Sequence, residues 1–208
     1  ADAALSRAAL ADGQARETSF VIPTGNLGNA FAAWMARALS TANGRRLQIG
    51  GLTLATNANR MLVDYVATGE AAPAATIATL ANAMDVGAPS NLERLRHFAS
   101  DRAGIAAVSV DDATIAKTIA RVFQETGYAI CPHTACAVAA APRDGDFDGV
   151  FVATAHPAKF PDAVEQAIGI RPDLPEHLAD LFDREESYDS LPADLATLQA
   201  HVKACTGR

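Results

Sequence analysis

Short apolar runs alternate along this chain with longer stretches in which apolar residues recur every three or four positions. That alternation predicts strands followed by helices. Phe20-Val21-Ile22 reads as a buried strand, and residues 24–29 as a Gly/Asn loop. Phe31, Trp34, Met35, Ala38 and Leu39 then share one helical face, with Asn43-Gly44 as the stop. Residues 47–55 read as a second strand, bent or bulged at Gly50-Gly51, and residues 60–68 as a helix closed by Gly69. Ser90 with Glu93 three residues on forms a capping box that opens a helix over 90–102, and residues 102–108 read as a connector. Asp111 or Asp112 caps an amphipathic helix carrying Ile115, Ile119, Val122 and Phe123 and ending at Gly127.

Further on, Tyr128-Ala129-Ile130 reads as a short strand, residues 132–141 as a helix and residues 150–154 as a strand. Pro157 opens a helix running past Val164 and Ile168. The pattern then changes. Residues 171–190 are rich in charge and proline, and Leu191, Leu195, Leu198 and Val202 form a last amphipathic helix with Pro192 at its start. The fold class expected is α/β: an open, mostly parallel sheet flanked by helices, with a C-terminal helical extension. The domain reading is a lead-in helix over 1–17, a sheet domain over 18–170 and the extension over 171–208. Because Ala1 is not Met and a helical pattern is already running at Leu5, Ala8 and Ala9, the sequence reads as starting mid-protein.

Composition narrows the function classes. The 208 residues are 50% hydrophobic and 20% charged, with a formal net charge of −7. That provides one sizeable core. The acidic balance argues against nucleic acid and anionic membrane as partners, since both need a basic face. No apolar run approaches the roughly 20 residues of a membrane span, and the alanine-rich start lacks the pattern of a signal peptide. Three cysteines, Cys131, Cys136 and Cys205, are too few and too uneven for a disulfide scaffold, so a reducing cytoplasm is expected.

The loop between the first strand and its helix holds the main candidate chemistry. Glycines at 25 and 28 allow a turn and a close approach, and the helix start beside them offers unpaired N–H groups and a positive dipole end to a phosphate. The spacing is G-x-x-G, not the dinucleotide fingerprint, and no Walker loop occurs. An ordinary tight strand–helix turn accounts for the same residues, so both readings stay open on spacing alone. Cys131, His133 and Cys136 make C-x-H-x-x-C, half of a metal site without a second half; a buried helix start suits them better, and no metal is expected. His156 reads either as a contact to substrate or phosphate or as a structural hydrogen-bonder. Asn57 and Asn59 either line a pocket or cap the next helix, with capping preferred. Asp85 is a turn residue or a partner behind the site.

Five motifs in order give this loop a family context. Pro23-Thr24-Gly25-Asn26-Leu27-Gly28-Asn29 resembles the P-S/T-G-N-F-G-N loop of threonine synthases. Ala55-Thr56-Asn57-Ala58-Asn59 resembles A-T-N-x-N, and residues 84–94 resemble M-D-V-G-x-P-S-N-F-E-R. Cys131-Pro132-His133-Thr134-Ala135 and Thr154-Ala155-His156-Pro157-Ala158-Lys159-Phe160 match x-P-H-T/A-A and T-A-H-P-A-K-F. Leu174-Pro175 and residues 191–194 fit the tail. The departures are Leu27 for the usual Phe, Arg60 where an acidic residue is common, and a shortened stretch at 102–108.

The resemblance implies a pyridoxal-phosphate (PLP) enzyme of fold type II that converts O-phospho-L-homoserine and water to L-threonine and phosphate. It implies that the amides of Gly25, Asn26, Leu27, Gly28 and Asn29 hold the PLP phosphate and that the Thr154 hydroxyl meets the pyridine nitrogen. Asn57 and His156 are the candidates for substrate contact. The aldimine lysine of the family lies well upstream of the loop. The lysines present, Lys117, Lys159 and Lys203, match no such position, so no catalytic residue is expected in this chain and the chain alone is expected to be inert. The implied partners are the small substrate and the N-terminal half of the same enzyme. Another fold-type-II PLP lyase, such as a serine/threonine dehydratase, and a catalytically inert phosphate-ligand-binding module remain the alternatives.

Overall fold

The computed structural model describes residues 17–42, 49–99, 104–142 and 147–207. The expected lead-in helix over 1–17 and the Asn43-Gly44 stop lie outside the described residues, apart from Glu17. Two compact units emerge, one reaching to Asp173 and one starting at Leu174.

Among the described residues, four parallel strands form the first unit's sheet: β1 (Thr18–Pro23), β2 (Ile49–Thr56), β3 (Ile105–Ser109) and β4 (Gly149–Phe151), in the order β3-β2-β1-β4. Its helices are α1 (Gly28–Ala42), α2 (Met61–Thr68), α3 (Leu92–Phe98), α4 (Asp112–Thr126), α5 (Pro132–Ala140) and α6 (Pro161–Ile168). The open parallel sheet is therefore as expected. Successive residues of β1 feed opposite cores, as a pleated strand covered on both faces must. Val21 packs with Ile115, Ile119, Ala135 and Cys136, while Ile22 packs with Leu52, Leu54, Leu62, Leu92 and Leu95. The expected irregularity at Gly50-Gly51 is a β-bulge: Thr18 pairs Ile49, but Phe20 pairs Leu52, so β2 spends one extra residue there.

Local signals that stood alone held. Asp111 caps α4, accepting from the Thr114 N–H at 2.7 Å, and Gly69 and Gly127 close α2 and α4 in the left-handed conformation. Signals with tertiary competition did not. Residues 105–109 are the edge strand β3 rather than a connector, paired with β2 from Leu52↔Ile105 to Thr56↔Ser109. Its Ala106-Ala107 centre carries little apolar pattern, and β2's hydrogen bonds supply what propensity lacks. Tyr128-Ala129-Ile130 joins no sheet, and Tyr128 is exposed.

The expected helix from Pro157 is split into a 3₁₀ turn (Pro157–Lys159) and α6, because Pro161 has no N–H to continue the ladder. On α1 the core side is Ala30, Phe31, Ala33 and Trp34, whereas Leu39 is exposed. The capping box at Ser90 does not form: α3 starts at Leu92 after Asn91, whose side chain caps nothing. Both residues are engaged elsewhere, as described below.

The second unit contains two 3₁₀ turns (Glu176–Leu178 and Leu181–Asp183) and α7 (Leu195–Thr206). Asp194 caps α7 by accepting from the Thr197 N–H at 3.0 Å, so Pro192 precedes the helix instead of opening it. Among the described residues no helix is long and apolar enough to cross a membrane.

Candidate functional site

All four strands end on one edge of the sheet, where open parallel sheets bind ligands. At the end of β1 the chain enters the Gly/Asn loop. The Thr24 N–H donates to the Ala55 carbonyl at 2.9 Å, and the buried Thr24 Oγ1 accepts from the Leu27 N–H at 3.0 Å. The left-handed residue of the turn is Leu27, with φ 63°, and neither glycine supplies it. A non-glycine residue there costs about 1–2 kcal/mol. Leu27 is only 1% exposed, and burying its side chain returns about 1.5–3 kcal/mol, so packing outweighs the strain.

The two glycines have different reasons. A Cβ on Gly25 would stand 2.7 Å from the Met84 Cα and 2.8 Å from its carbonyl oxygen. A Cβ on Gly28 would meet nothing within 4 Å. Gly25 is demanded by the fold, whereas Gly28 faces open space. The first hydrogen bond of α1 runs from Phe31 to the Leu27 carbonyl at 2.8 Å. The N–H groups of Gly25, Asn26, Gly28 and Asn29 have no partner among the described residues, and Asn26, Gly28 and Asn29 are exposed. Four open N–H groups at the positive end of a 15-residue helix fit a phosphate. The Leu27 N–H is committed to Thr24, which removes one of the five amides expected to share that task.

The last residue of β4, Phe151, pairs with Val21, and the Val152 N–H donates to the Val21 carbonyl at 3.0 Å. Thr154 and Thr24 thus each lie three residues beyond a paired position on adjacent parallel strands. The structure brings Thr154 to the same edge as the loop, solvent-exposed. Two residues on, exposed His156 accepts the Ala158 N–H on Nδ1 at 3.2 Å and caps the 3₁₀ turn. That favours the structural reading of this histidine.

Asn57 is different from its expectation. It is fully buried, and its Nδ2 lies 2.7 Å from Asp85 Oδ1, 2.8 Å from Thr79 Oγ1 and 3.2 Å from the Ala81 carbonyl. Its Oδ1 accepts from the Asn59 N–H at 3.0 Å. Its amide is thus engaged on both sides within the protein. Neither asparagine caps α2, which starts after Arg60 without a side-chain cap. Asn59 instead pairs with Ile77 as a strand would, accepting from its N–H and donating to its carbonyl, each at 2.8 Å. Asp85 completes the network by accepting from Thr79 through both carboxylate oxygens.

Motif 131–136 carries no metal cluster: no group of three possible ligands gathers among the described residues. Cys131 caps α5, its Sγ accepting from the Thr134 N–H at 3.4 Å. Burial pushes the Cys136 thiol up to about 12, with Cys131 and Asp112 adding to the shift, so it is inert at neutral pH. His133 is the residue that sequence reasoning undervalued. It is buried against Phe160, with ring centroids 4.5 Å apart, and neither ring nitrogen has a partner among the described residues. Burial, then the charge of Lys159, lowers its pKa below the usual 6.5, against an opposing pull from Asp85. Its place in a C-x-H-x-x-C string drew attention to metal instead.

The family profile described as pyridoxal-phosphate dependent enzyme matches residues 5–156, and that of threonine synthase, C-terminal, matches residues 134–202. The threonine synthase of Pseudomonas aeruginosa is 35% identical over 90% of this chain and 46% of its own length. That of Escherichia coli K12 is 37% identical over 86% of this chain and 41% of its own. Among solved structures, PLP-bound threonine synthase from Brucella melitensis superposes with a TM-score of 0.75 at 31% identity, covering 98% of this chain and 48% of that one. The chain thus spans just under half the length of the relatives it matches. It belongs to the pyridoxal-phosphate-dependent enzymes, and the members it resembles here are threonine synthases, whose C-terminal half it matches.

Proposed function

We propose that this chain forms the phosphate- and ring-binding side of a threonine synthase that converts O-phospho-L-homoserine and water to L-threonine and phosphate. One observation carries the reading. Four open loop amides and a threonine hydroxyl sit at the ends of two adjacent parallel strands, registered by Val21↔Phe151. The N–H groups of Gly25, Asn26, Gly28 and Asn29 hold the PLP phosphate, with Leu27 giving the turn its shape. The Thr154 hydroxyl faces the pyridine nitrogen. A neutral partner there leaves that nitrogen largely unprotonated, which restrains the ring as an electron sink and disfavours side reactions such as transamination. Bound in this way, PLP supplies electron withdrawal from the substrate's carbon framework.

The lysine that links the cofactor comes from a segment outside this chain. Lys117, Lys159 and Lys203 are all exposed, on α4, the 3₁₀ turn and α7. A reducing cytoplasm suits three free cysteines and a biosynthetic reaction.

The test uses the full-length enzyme with O-phosphohomoserine. Equal release of phosphate and threonine, dependent on added PLP, supports the reading. Phosphate release without threonine, or 2-oxoacid formation from serine or threonine instead, overturns it. In parallel, the 208-residue chain treated with PLP and borohydride should carry no stoichiometric pyridoxyl-lysine. A stoichiometric adduct on any of its three lysines would refute the assignment of that lysine to another segment.

A further inference from the structure

We propose that Ser90 and Asn91 are positioning residues that clamp the phosphate loop, and that the buried Asn57–Asp85 network anchors the clamp. The inference rests on the reading of residues 24–29 as a phosphate cradle.

Sequence chemistry places an N-cap at Ser90, yet neither Ser90 nor Asn91 caps α3. Both turn to Asn26, more than sixty residues earlier. Ser90 Oγ donates to Asn26 Oδ1 at 3.1 Å, and Asn91 Nδ2 donates to the Asn26 carbonyl at 2.8 Å. The Asn91 N–H adds a longer contact to Asn26 Oδ1 at 3.5 Å. Giving up a cap forfeits about 1 kcal/mol of helix stability, so the bonds to Asn26 must recover it.

The consequence falls on one peptide unit. Its carbonyl, on Asn26, is held by Asn91; its N–H, on Leu27, is held by Thr24 Oγ1. With both ends bonded, the plane between Asn26 and Leu27 cannot rotate. The neighbouring amides of Gly25, Asn26, Gly28 and Asn29 are then fixed relative to one another. Unclamped, the plane can turn, and a carbonyl dipole directed at a phosphate repels it. Leu27, held at φ 63°, is the joint at which such a loop would relax.

The clamp needs a rigid base. Met84 packs its backbone against Gly25, leaving no room for a Cβ. Next to it, Asp85 is held by Asn57, Asn59 and Thr79, with contacts of 2.7 Å to Asn57 Nδ2 and Thr79 Oγ1. Segment 84–91 therefore touches the loop at both of its first residues after Thr24 and is itself fixed to the end of β2. Preorganised amides bind an anion without the cost of ordering them on contact.

The experiment titrates this chain with pyridoxamine 5'-phosphate and, as control, with pyridoxamine, which lacks the phosphate and, like its ester, forms no Schiff base with lysine. Wild type should prefer the phosphate ester. Asn91→Ala should weaken binding of the ester about tenfold, the equivalent of one lost hydrogen bond, and leave pyridoxamine within about twofold. Asn91→Asp should not rescue it, since a carboxylate cannot donate to the Asn26 carbonyl. Ser90→Ala should show a smaller loss in the same direction. Amide hydrogen exchange gives a second readout: in Asn91→Ala the Leu27 N–H should exchange faster while the middle of α1 stays protected. Equal loss for both ligands, or an unchanged affinity with unchanged Leu27 exchange, overturns the clamp. If wild type itself shows no preference for the ester, the cradle reading fails and the clamp with it.

Discussion

Gly25 lies so close to Met84 that a side chain at 25 has nowhere to go: its Cβ would stand 2.7 Å from the Met84 Cα, a backbone atom that cannot step aside. Gly28, three residues later in the same loop, has open space in that direction. The two glycines therefore separate folding from binding. Gly25→Ala should destabilise the chain by about 1–3 kcal/mol, the usual cost of overpacking. Gly28→Ala should leave the unfolding midpoint nearly unchanged, since alanine is the better helix former at the start of α1. It should nevertheless weaken pyridoxamine 5'-phosphate binding at least tenfold, because its methyl enters the space proposed for the phosphate. Urea unfolding and ligand titration of the two variants check this; a Gly28→Ala chain that binds the ester as wild type does removes the phosphate from this loop.

Asp85 gathers four hydrogen-bond contacts from Asn57, Asn59 and Thr79, and Asn57 is fully buried. Truncating it takes the acceptor from the Thr79 N–H and hydroxyl and removes two contacts from the Asn57 and Asn59 amides. Asp85→Ala should cost about 2–4 kcal/mol, and Asp85→Asn less, because an amide oxygen still accepts. Chemical denaturation of both variants measures the difference. A loss below about 0.5 kcal/mol for the alanine variant would mean the network does not brace the loop.

Stability should fall below neutral pH on account of His133. Burial holds its folded pKa under the ordinary 6.5. Between the two values the unfolded chain takes up a proton that the folded chain refuses, so protonation favours unfolding. The contribution is intact above about pH 6.5 and is lost progressively as the pH drops below it. His133→Leu should flatten the change in urea midpoint between about pH 7.5 and 5.5, relative to wild type. The same fall in both proteins would assign the effect to other groups.

In the full-length enzyme, Thr154→Ala should lower turnover roughly tenfold, the effect of one hydrogen bond on the barrier, while Thr154→Ser stays near wild type. The absorption spectrum of the bound cofactor should shift in the alanine variant and not in the serine one. Unchanged spectra and rates in both would take Thr154 away from the ring.

What the sequence determined by itself was whatever depends on near neighbours. The strand at Phe20-Val21-Ile22, a cap at Asp111 or Asp112, the closure at Gly69 and Gly127 and the bend or bulge at Gly50-Gly51 each rest on patterns a few residues long. The ordered motifs carried the family as well, because they are read one segment at a time. Tertiary structure decided the rest. An alanine-rich segment became β3 once β2 offered its hydrogen bonds. Ser90 and Asn91 left a helix cap for Asn26, and Asn57 turned inward to Asp85 instead of outward to a ligand. The Leu27 amide was spent on Thr24, inside the very loop the sequence had marked. A polar side chain has several partners of nearly equal worth, and only the folded chain sets which one is within 3 Å, whereas apolar periodicity and backbone conformation are fixed by the residue and its immediate neighbours.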